Sequence, residues 1–366
     1  MSRRVKLKWL KSRRLDLVVS IETDLKAAFL LKYAIKRTST GYLTANSVAH
    51  WRDLLGLTVP VVSFMRSYSS IFDEFCHPRY LSLPCFRLTD TAIMLDSQEQ
   101  VLHQAHELDT VERLCRVLMM TKSKMIPLQW LRLLKWDLGL PDDFDTVLIE
   151  KYPDYFRVCK ASFGHPCLQL SQWHEEFEVS ALQKNSENRE SNVTYYQFLW
   201  GRTELAFPMS FPRSHWRINK TRTRMKNFQQ LPYISPYQDS RFIDSRSDIM
   251  EKRIVGVMHE LLSLTVHKKT RRFYFIVLGE ELNFVTRYLR YFTRYAGIFY
   301  LSRKCKTNTV VLKEGYDGVT LLNPHPLARF RRAYFDVMAT RVPKGRKTFD
   351  ARARQEGFFY DQDDKT

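Results

Sequence analysis

Apolar residues recur at helical spacing in three stretches, Asp24–Lys36, Val111–Thr121 and Lys252–Val266. This predicts three amphipathic helices. After each, a second helix is expected to stop at a Leu-Gly pair: Leu55-Gly56, Leu138-Gly139 and Leu278-Gly279. Glycine there takes up the turn that ends a helix. Pro60 and Pro141 then stand where a third helix would open. That third helix is expected to carry a tyrosine and a phenylalanine four residues apart on one face. The pairs are Tyr68 and Phe72, Tyr152 and Phe156, and Tyr295 and Phe299. Two short extended runs around a turn follow, most clearly Phe156–Lys160 and Cys167–Ser171.

The spacings agree among the three stretches. Glycine to tyrosine is 12, 13 and 16 residues, and phenylalanine to a later leucine (Leu88, Leu170, Leu312) is 16, 14 and 13. Three agreements in the same order indicate one unit used three times. Three helices and a hairpin make a winged-helix-like order. The expected fold class is therefore mainly α with short β-hairpins (α+β), as tandem winged-helix-like units near 22–95, 106–178 and 250–316. The domain division follows: a basic arm or transit-peptide remnant over 1–21, two units over 22–178, and a basic, aromatic linker over 179–249. The third unit with a basic helix covers 250–333, and a tail expected to be disordered covers 334–366.

Charge sharpens this picture. The chain has 366 residues, 58 Lys and Arg against 39 Asp and Glu, and a net charge of +19. Residues 1–183 carry only +3 of it, and residues 184–366 carry +16. Seven cations precede the first acid, Asp16, and without them residues 15–183 come to −4. A field so placed favours a polyanionic partner. The acid-free start reads equally as a plain basic arm or as the edge of a transit peptide.

Several classes are disfavoured. The longest apolar runs, such as Thr58–Phe64 and Phe273–Leu278, fall far short of the roughly 20 residues of a membrane span. The six cysteines (Cys76, Cys85, Cys115, Cys159, Cys167, Cys305) form no C-x-x-C pair, so free thiols and no zinc site are expected. No cofactor is implied. His259-Glu260 begins an H-E-x-x-H pattern, but Ser263 replaces the second histidine. Asp137, Asp142, Asp143 and Asp145 form an acidic cluster. A Mg²⁺-dependent nuclease would use it, but capping a helix N-terminus is the better reading.

The positive signal is binding. Arg217, Lys220, Arg222, Arg224 and Lys226 lie in one acid-free stretch with Trp216 and Phe228. Lys268, Lys269, Arg271 and Arg272 fall in a turn. Arg287, Arg290 and Arg294 recur at i, i+3 and i+7, as one helix face would require, interleaved with Tyr288, Tyr291, Phe292 and Tyr295. Arg303, Lys304 and Lys306 follow. Cations neutralise phosphates, and exposed aromatic or guanidinium planes stack on unpaired bases. Tyr295 and Phe299 are expected in the core instead, as parts of the repeated unit.

Longer strings carry a resemblance. Leu118-Met-Met120, the run Leu134–Asp142 (LKWDLGLPD), Lys151–Val158 (KYPDYFRV) and Phe177–Leu182 (FEVSAL) are four of them. The run Leu231–Tyr237 (LPYISPY), Met250–Arg253 (MEKR) and His259–Val266 (HELLSLTV) complete the set. Together they resemble the plant organelle RNA recognition (PORR) family, from about Leu15 to Ala333. The resemblance implies a non-catalytic protein of mitochondria or chloroplasts that binds intron RNA, single-stranded or structured. It would promote group II intron splicing, with other splicing factors as further partners and no membrane. It assigns no individual RNA contact. Mitochondria are the favoured compartment and chloroplasts the alternative. A metal-dependent nuclease, a protein-interaction scaffold and a DNA-binding winged-helix regulator stand as competing readings.

Overall fold

The computed structural model describes residues 9–160, 164–187, 205–211, 218–285, 287–304 and 308–340. Helices alternate with small antiparallel sheets, an α+β fold. Among the described residues no helix is long and apolar enough to cross a membrane. The chain divides into two compact units.

One unit holds residues 13–104, 304–306 and 326–366. Its helix Arg13–Arg37 begins well before Asp24, inside the stretch expected to be an arm. Leu15 and Val19 extend its buried stripe, and Asp16 in the first turn suits the positive helix end. Strands β1 (Leu43–Thr44), β2 (Phe72–Cys76) and β3 (Pro84–Leu88) form a sheet of order β1-β3-β2. The helix Asp90–Ala105 follows. Lys32, fully buried, bonds to Asp96 at 2.8 Å and to Glu99. Its ammonium also lies over the rings of Phe29 and Tyr33. A last helix, Pro326–Ala339, runs on through the start of the segment expected to be a tail. It does so because Tyr334, Phe335 and Met338 are buried there. Residues 341–366 lie outside the described residues.

The other unit holds residues 1–12, 105–303 and 307–325. Two more three-stranded sheets lie in it, beside a two-stranded hairpin of Tyr316–Asp317 with Thr320–Leu321. Strands β4 (Met125–Pro127), β5 (Phe156–Lys160) and β6 (Pro166–Leu170) pair in the order β4-β6-β5. Strands β7 (Lys269–Arg271), β8 (Phe299–Ser302) and β9 (Thr309–Leu312) pair in the order β7-β9-β8. The helices Glu107–Met119 and Asp248–Leu264 line a continuous apolar core with both sheets. Ser247 starts the second of these helices by accepting a hydrogen bond from the Met250 N–H at 3.1 Å.

The three three-stranded sheets share a strand order and a register. Phe72 sits opposite Leu88, Phe156 opposite Leu170, and Phe299 opposite Leu312. Tyr68, Tyr152 and Tyr295 each end a short helix, with φ of −114°, −122° and −102°. The phenylalanine four residues on is not helical, contrary to the sequence expectation. Its N–H bonds back to the tyrosine carbonyl at 3.1, 3.0 and 3.0 Å, and it opens the next strand. One helical turn thus hands the chain directly to the sheet. Gly139 ends its helix in the left-handed region at φ 68°. Gly279 is needed for another reason: a side chain there would meet the Tyr288 hydroxyl at 2.5 Å and the Phe275 carbonyl at 2.9 Å.

Candidate nucleic-acid interface

The helix Asn219–Gln229 is built from a narrow apolar stripe and a broad basic face. Thr221, Met225 and Phe228 are buried, while Lys220, Arg222 and Lys226 are exposed. Phe228 packs against Tyr295, with ring centroids 4.3 Å apart. The buried Lys252 donates to the carbonyls of Gln229 at 2.8 Å and Leu231 at 2.5 Å. A cation thus meets the negative end of this helix and fixes where the chain turns away. Arg217 lies outside the described residues.

Arg287, Arg290 and Arg294 do not share one helix face. Arg287 sits in the left-handed region at φ 71°, ahead of a 3-10 turn over Tyr288–Arg290. The α-helix that follows covers only Tyr291–Arg294. A change of helix type within seven residues breaks the i, i+3, i+7 periodicity. Arg287 and Arg290 are exposed, but Arg294 turns inward. The interleaved aromatics turn inward too. Tyr291, Phe292 and Tyr295 are buried, and the Tyr288 hydroxyl donates to the Phe275 carbonyl at 3.0 Å.

Glu251 joins these two regions. Its carboxylate accepts from Arg294 Nη1 at 2.6 and 2.7 Å, from the Tyr295 hydroxyl, and from Arg224 Nη2 at 3.5 Å. Burial and the Glu251 charge hold the Tyr295 hydroxyl well above its ordinary pKa. Arg224 and Arg294 are therefore occupied by one carboxylate. Lys220, Lys226, Arg287 and Arg290 are exposed and have no ion-pair partner among the described residues; the first two lie on the helix that carries Arg224, and the last two in the turns just before Arg294. The structure so brings together two basic clusters that lie about sixty residues apart in the chain.

The other predicted cations divide. Lys269 is buried in β7, and Lys268, at φ 51°, donates to the Ser263 carbonyl at the end of the helix Asp248–Leu264. Burial, with Arg113 nearby, lowers the pKa of Lys268. Arg271 and Arg272 are half-buried. Lys268 and Lys269 are thus structural, since β7 must pair with β9 for the sheet to close. Arg303 is exposed, and its guanidinium lies 4.9 Å over the ring of Trp9. Lys304 is half-buried, and Lys306 lies outside the described residues.

The candidate catalytic groups serve as structural ties. His259 Nε2 meets Glu314 at 2.6 Å. Glu260, 1% exposed, accepts from the Tyr237 hydroxyl and the Ala181 N–H, both at 2.7 Å. Asp137 accepts from the Thr270 hydroxyl, Asp142 pairs with Lys135, and Asp145 pairs with Arg132 at 2.6 Å. No group of three His, Cys, Asp or Glu suited to a metal ion occurs among the described residues. Sequence reasoning missed Glu251 and Lys252 as organising groups. Their signal was a charged Glu-Lys-Arg run set between the apolar pairs Ile249-Met250 and Ile254-Val255 of one helix.

The family model of the plant organelle RNA recognition domain matches residues 10–342. The chain belongs to this family. Among curated relatives, Protein WHAT'S THIS FACTOR 9, mitochondrial, of Arabidopsis thaliana is 32% identical over 337 residues. That alignment covers 91% of this chain and 85% of the relative. Protein WHAT'S THIS FACTOR 1, chloroplastic, of Zea mays is 31% identical, over 91% of this chain and 67% of the relative. Protein ROOT PRIMORDIUM DEFECTIVE 1 of Arabidopsis thaliana is 30% identical, over 77% of this chain and 70% of the relative. No solved structure matches. In this PORR chain both basic clusters around Glu251 fall inside the matched span. So do the three three-stranded sheets.

Proposed function

We propose that this PORR protein binds organellar intron RNA and promotes group II intron splicing, without catalysing the reaction itself. The observation that carries the reading is the set of exposed cations Lys220, Lys226, Arg287 and Arg290, without an ion-pair partner among the described residues and carried on the two elements that Glu251 ties together, in a chain of an RNA recognition family. Exposed cations fixed on short helices neutralise phosphates without base preference. Arg222, Arg271, Arg272 and Arg303 are further RNA-contact cations of the same unit, and Lys304 is one of the other unit, with Arg217 and Lys306 beyond the described residues. Arg224, Arg294, Lys268 and Lys269 act behind it as scaffold.

In this reading the three sheets and their helices are winged-helix-like units, two over 22–178 and one over 250–333, joined by the linker 179–249. Other splicing factors are further partners, and the compartment is the mitochondrion. A relative named as mitochondrial supports that choice, while relatives named as chloroplastic make plastids the alternative. The test is sequencing of RNA that co-purifies with the protein from fractionated mitochondria and chloroplasts. Enrichment of group II introns in the mitochondrial fraction is expected. Recovery of no intron RNA from either organelle would overturn the reading.

A further inference from the structure

The same face of the three sheets is finished differently. On the third sheet it is covered. Strands β8 and β9 are buried throughout, and Trp9 stacks on Tyr300 at 6.3 Å while its Nε1 donates to the Leu301 carbonyl at 2.9 Å. On the first sheet the corresponding face carries a row of half-buried aromatic rings that ends in an exposed one. Tyr42, just before β1, and Phe75, on β2, meet edge to face at 5.4 Å across the small, buried Cys85 of β3. His77 and Tyr80 in the β2–β3 hairpin continue the row, their ring centroids 5.2 Å apart and tilted by 34°. Tyr80 is 65% exposed.

This hairpin is held in place. His77 Nδ1 accepts from the N–H groups of Arg79 and Tyr80 at 3.1 and 3.2 Å. The His77 N–H in turn donates to the Leu83 carbonyl at 3.0 Å, and the Leu83 N–H to the Tyr80 carbonyl at 2.8 Å. The exposed tyrosine ring is therefore presented by a closed turn. An ordered ring loses little freedom on contact with a flat ligand.

The surrounding charge suits an anion-carrying ligand. The two acids of β2 are already paired: Asp73 with Arg87 at 2.9 Å, and Glu74 with Arg66 at 2.6 Å. Arg79, exposed, has no ion-pair partner among the described residues. Arg87 lies 5.3 Å over the Phe75 ring and keeps 60% of its side chain exposed. Flat rings flanked by guanidinium groups fit unpaired bases on a phosphate backbone.

We propose that the outer face of β1, β2 and β3, with Tyr80 and Arg79 at its tip, is a second RNA contact that stacks unpaired bases. The proposal rests on the RNA-binding reading above and adds to it a site in a segment whose net charge gives no hint of one. Leu81, 77% exposed beside Tyr80, would also suit a protein partner, and the experiment separates the two.

The full chain is titrated against a labelled single-stranded RNA of about 20 nucleotides and against the same sequence as a duplex. Tyr80→Ala is expected to weaken single-strand binding at least about five-fold with its salt slope unchanged. Tyr80→Phe keeps the ring and is expected to restore wild-type affinity. Arg79→Ala should lower the single-strand salt slope by about 0.7. Tyr80 is exposed, so thermal melting of the variants should match the parent. Wild-type single-strand affinity in Tyr80→Ala overturns the proposal and leaves this face to a protein. Failure of the parent chain to bind either RNA would instead overturn the RNA-binding reading itself.

Discussion

Arg294 closes on both oxygens of Glu251, with Nη1 at 2.6 and 2.7 Å. The same carboxylate takes the Tyr295 hydroxyl and Arg224. One acid thus ties the third sheet's entry helix to the basic helix Asn219–Gln229. Both side chains of the closer pair are largely buried, at 13% and 14% exposure. Glu251→Ala leaves a guanidinium and a phenol without their acceptor, which should cost about 2–4 kcal/mol. Denaturant midpoints would measure it. Lys220→Ala, on the exposed side of the same helix, should stay within about 0.5 kcal/mol of the parent.

The unit built on helix Arg13–Arg37 should weaken in acid. Burial alone would raise the Glu99 carboxyl, but the nearby His103 imidazole, 3.8 Å away, and the bonded Lys32 ammonium outweigh this and hold its pKa at about 2. A depressed carboxylate contributes stability that is present above its unfolded value near 4.5 and lost as pH falls toward 2. The contribution is on the order of 3 kcal/mol. Glu99→Gln should remove most of it at neutral pH and flatten the acid limb of a stability profile. An acid limb identical to the parent's would exclude Glu99 as its source.

Glu260→Ala removes the acceptor of the buried Tyr237 hydroxyl and the Ala181 N–H. A loss of about 3 kcal/mol is expected, read by chemical denaturation. Zinc should leave the melting temperature of the parent unchanged, because His259 is turned to Glu314.

Asp142→Asn and Asp145→Asn break pairs that lie near the surface. Each should change stability by about 1 kcal/mol or less. Labelled RNA incubated with Mg²⁺ and the parent protein should stay intact, as it should with either variant. Cleavage by the parent that the variants abolish would restore the nuclease reading.

Much of this organisation was legible in the chain, and the exceptions have physical causes. The phenylalanine and leucine positions could be picked out because cross-strand partners recur at similar separations along a hairpin, as Phe156 and Leu170 do, and the tyrosine because it always ends the helical turn four residues earlier. The first strand of each sheet could not, since Leu43–Thr44 and Met125–Pro127 are too short to show an alternation. The arginine stripe failed for a different reason. Spacing assumes one helix type, and Arg287 in the left-handed region resets the phase before Arg290 and Arg294. Composition also could not separate exposed from buried cations. Lys220 and Lys252 look alike in the sequence, yet one faces solvent and the other caps a helix from inside the core.

The salt dependence of RNA affinity tests the central claim most directly. Lys220, Lys226, Arg287 and Arg290 are changed together to alanine, and affinity for single-stranded RNA is followed over a salt series. Each phosphate contact removed should lower the log–log slope by about 0.7, or nearly 3 for all four. The same change made in Arg224 and Arg294 should move the slope far less while destabilising the fold. A slope that stays at the parent's value in the fourfold variant would contradict this surface as the RNA interface.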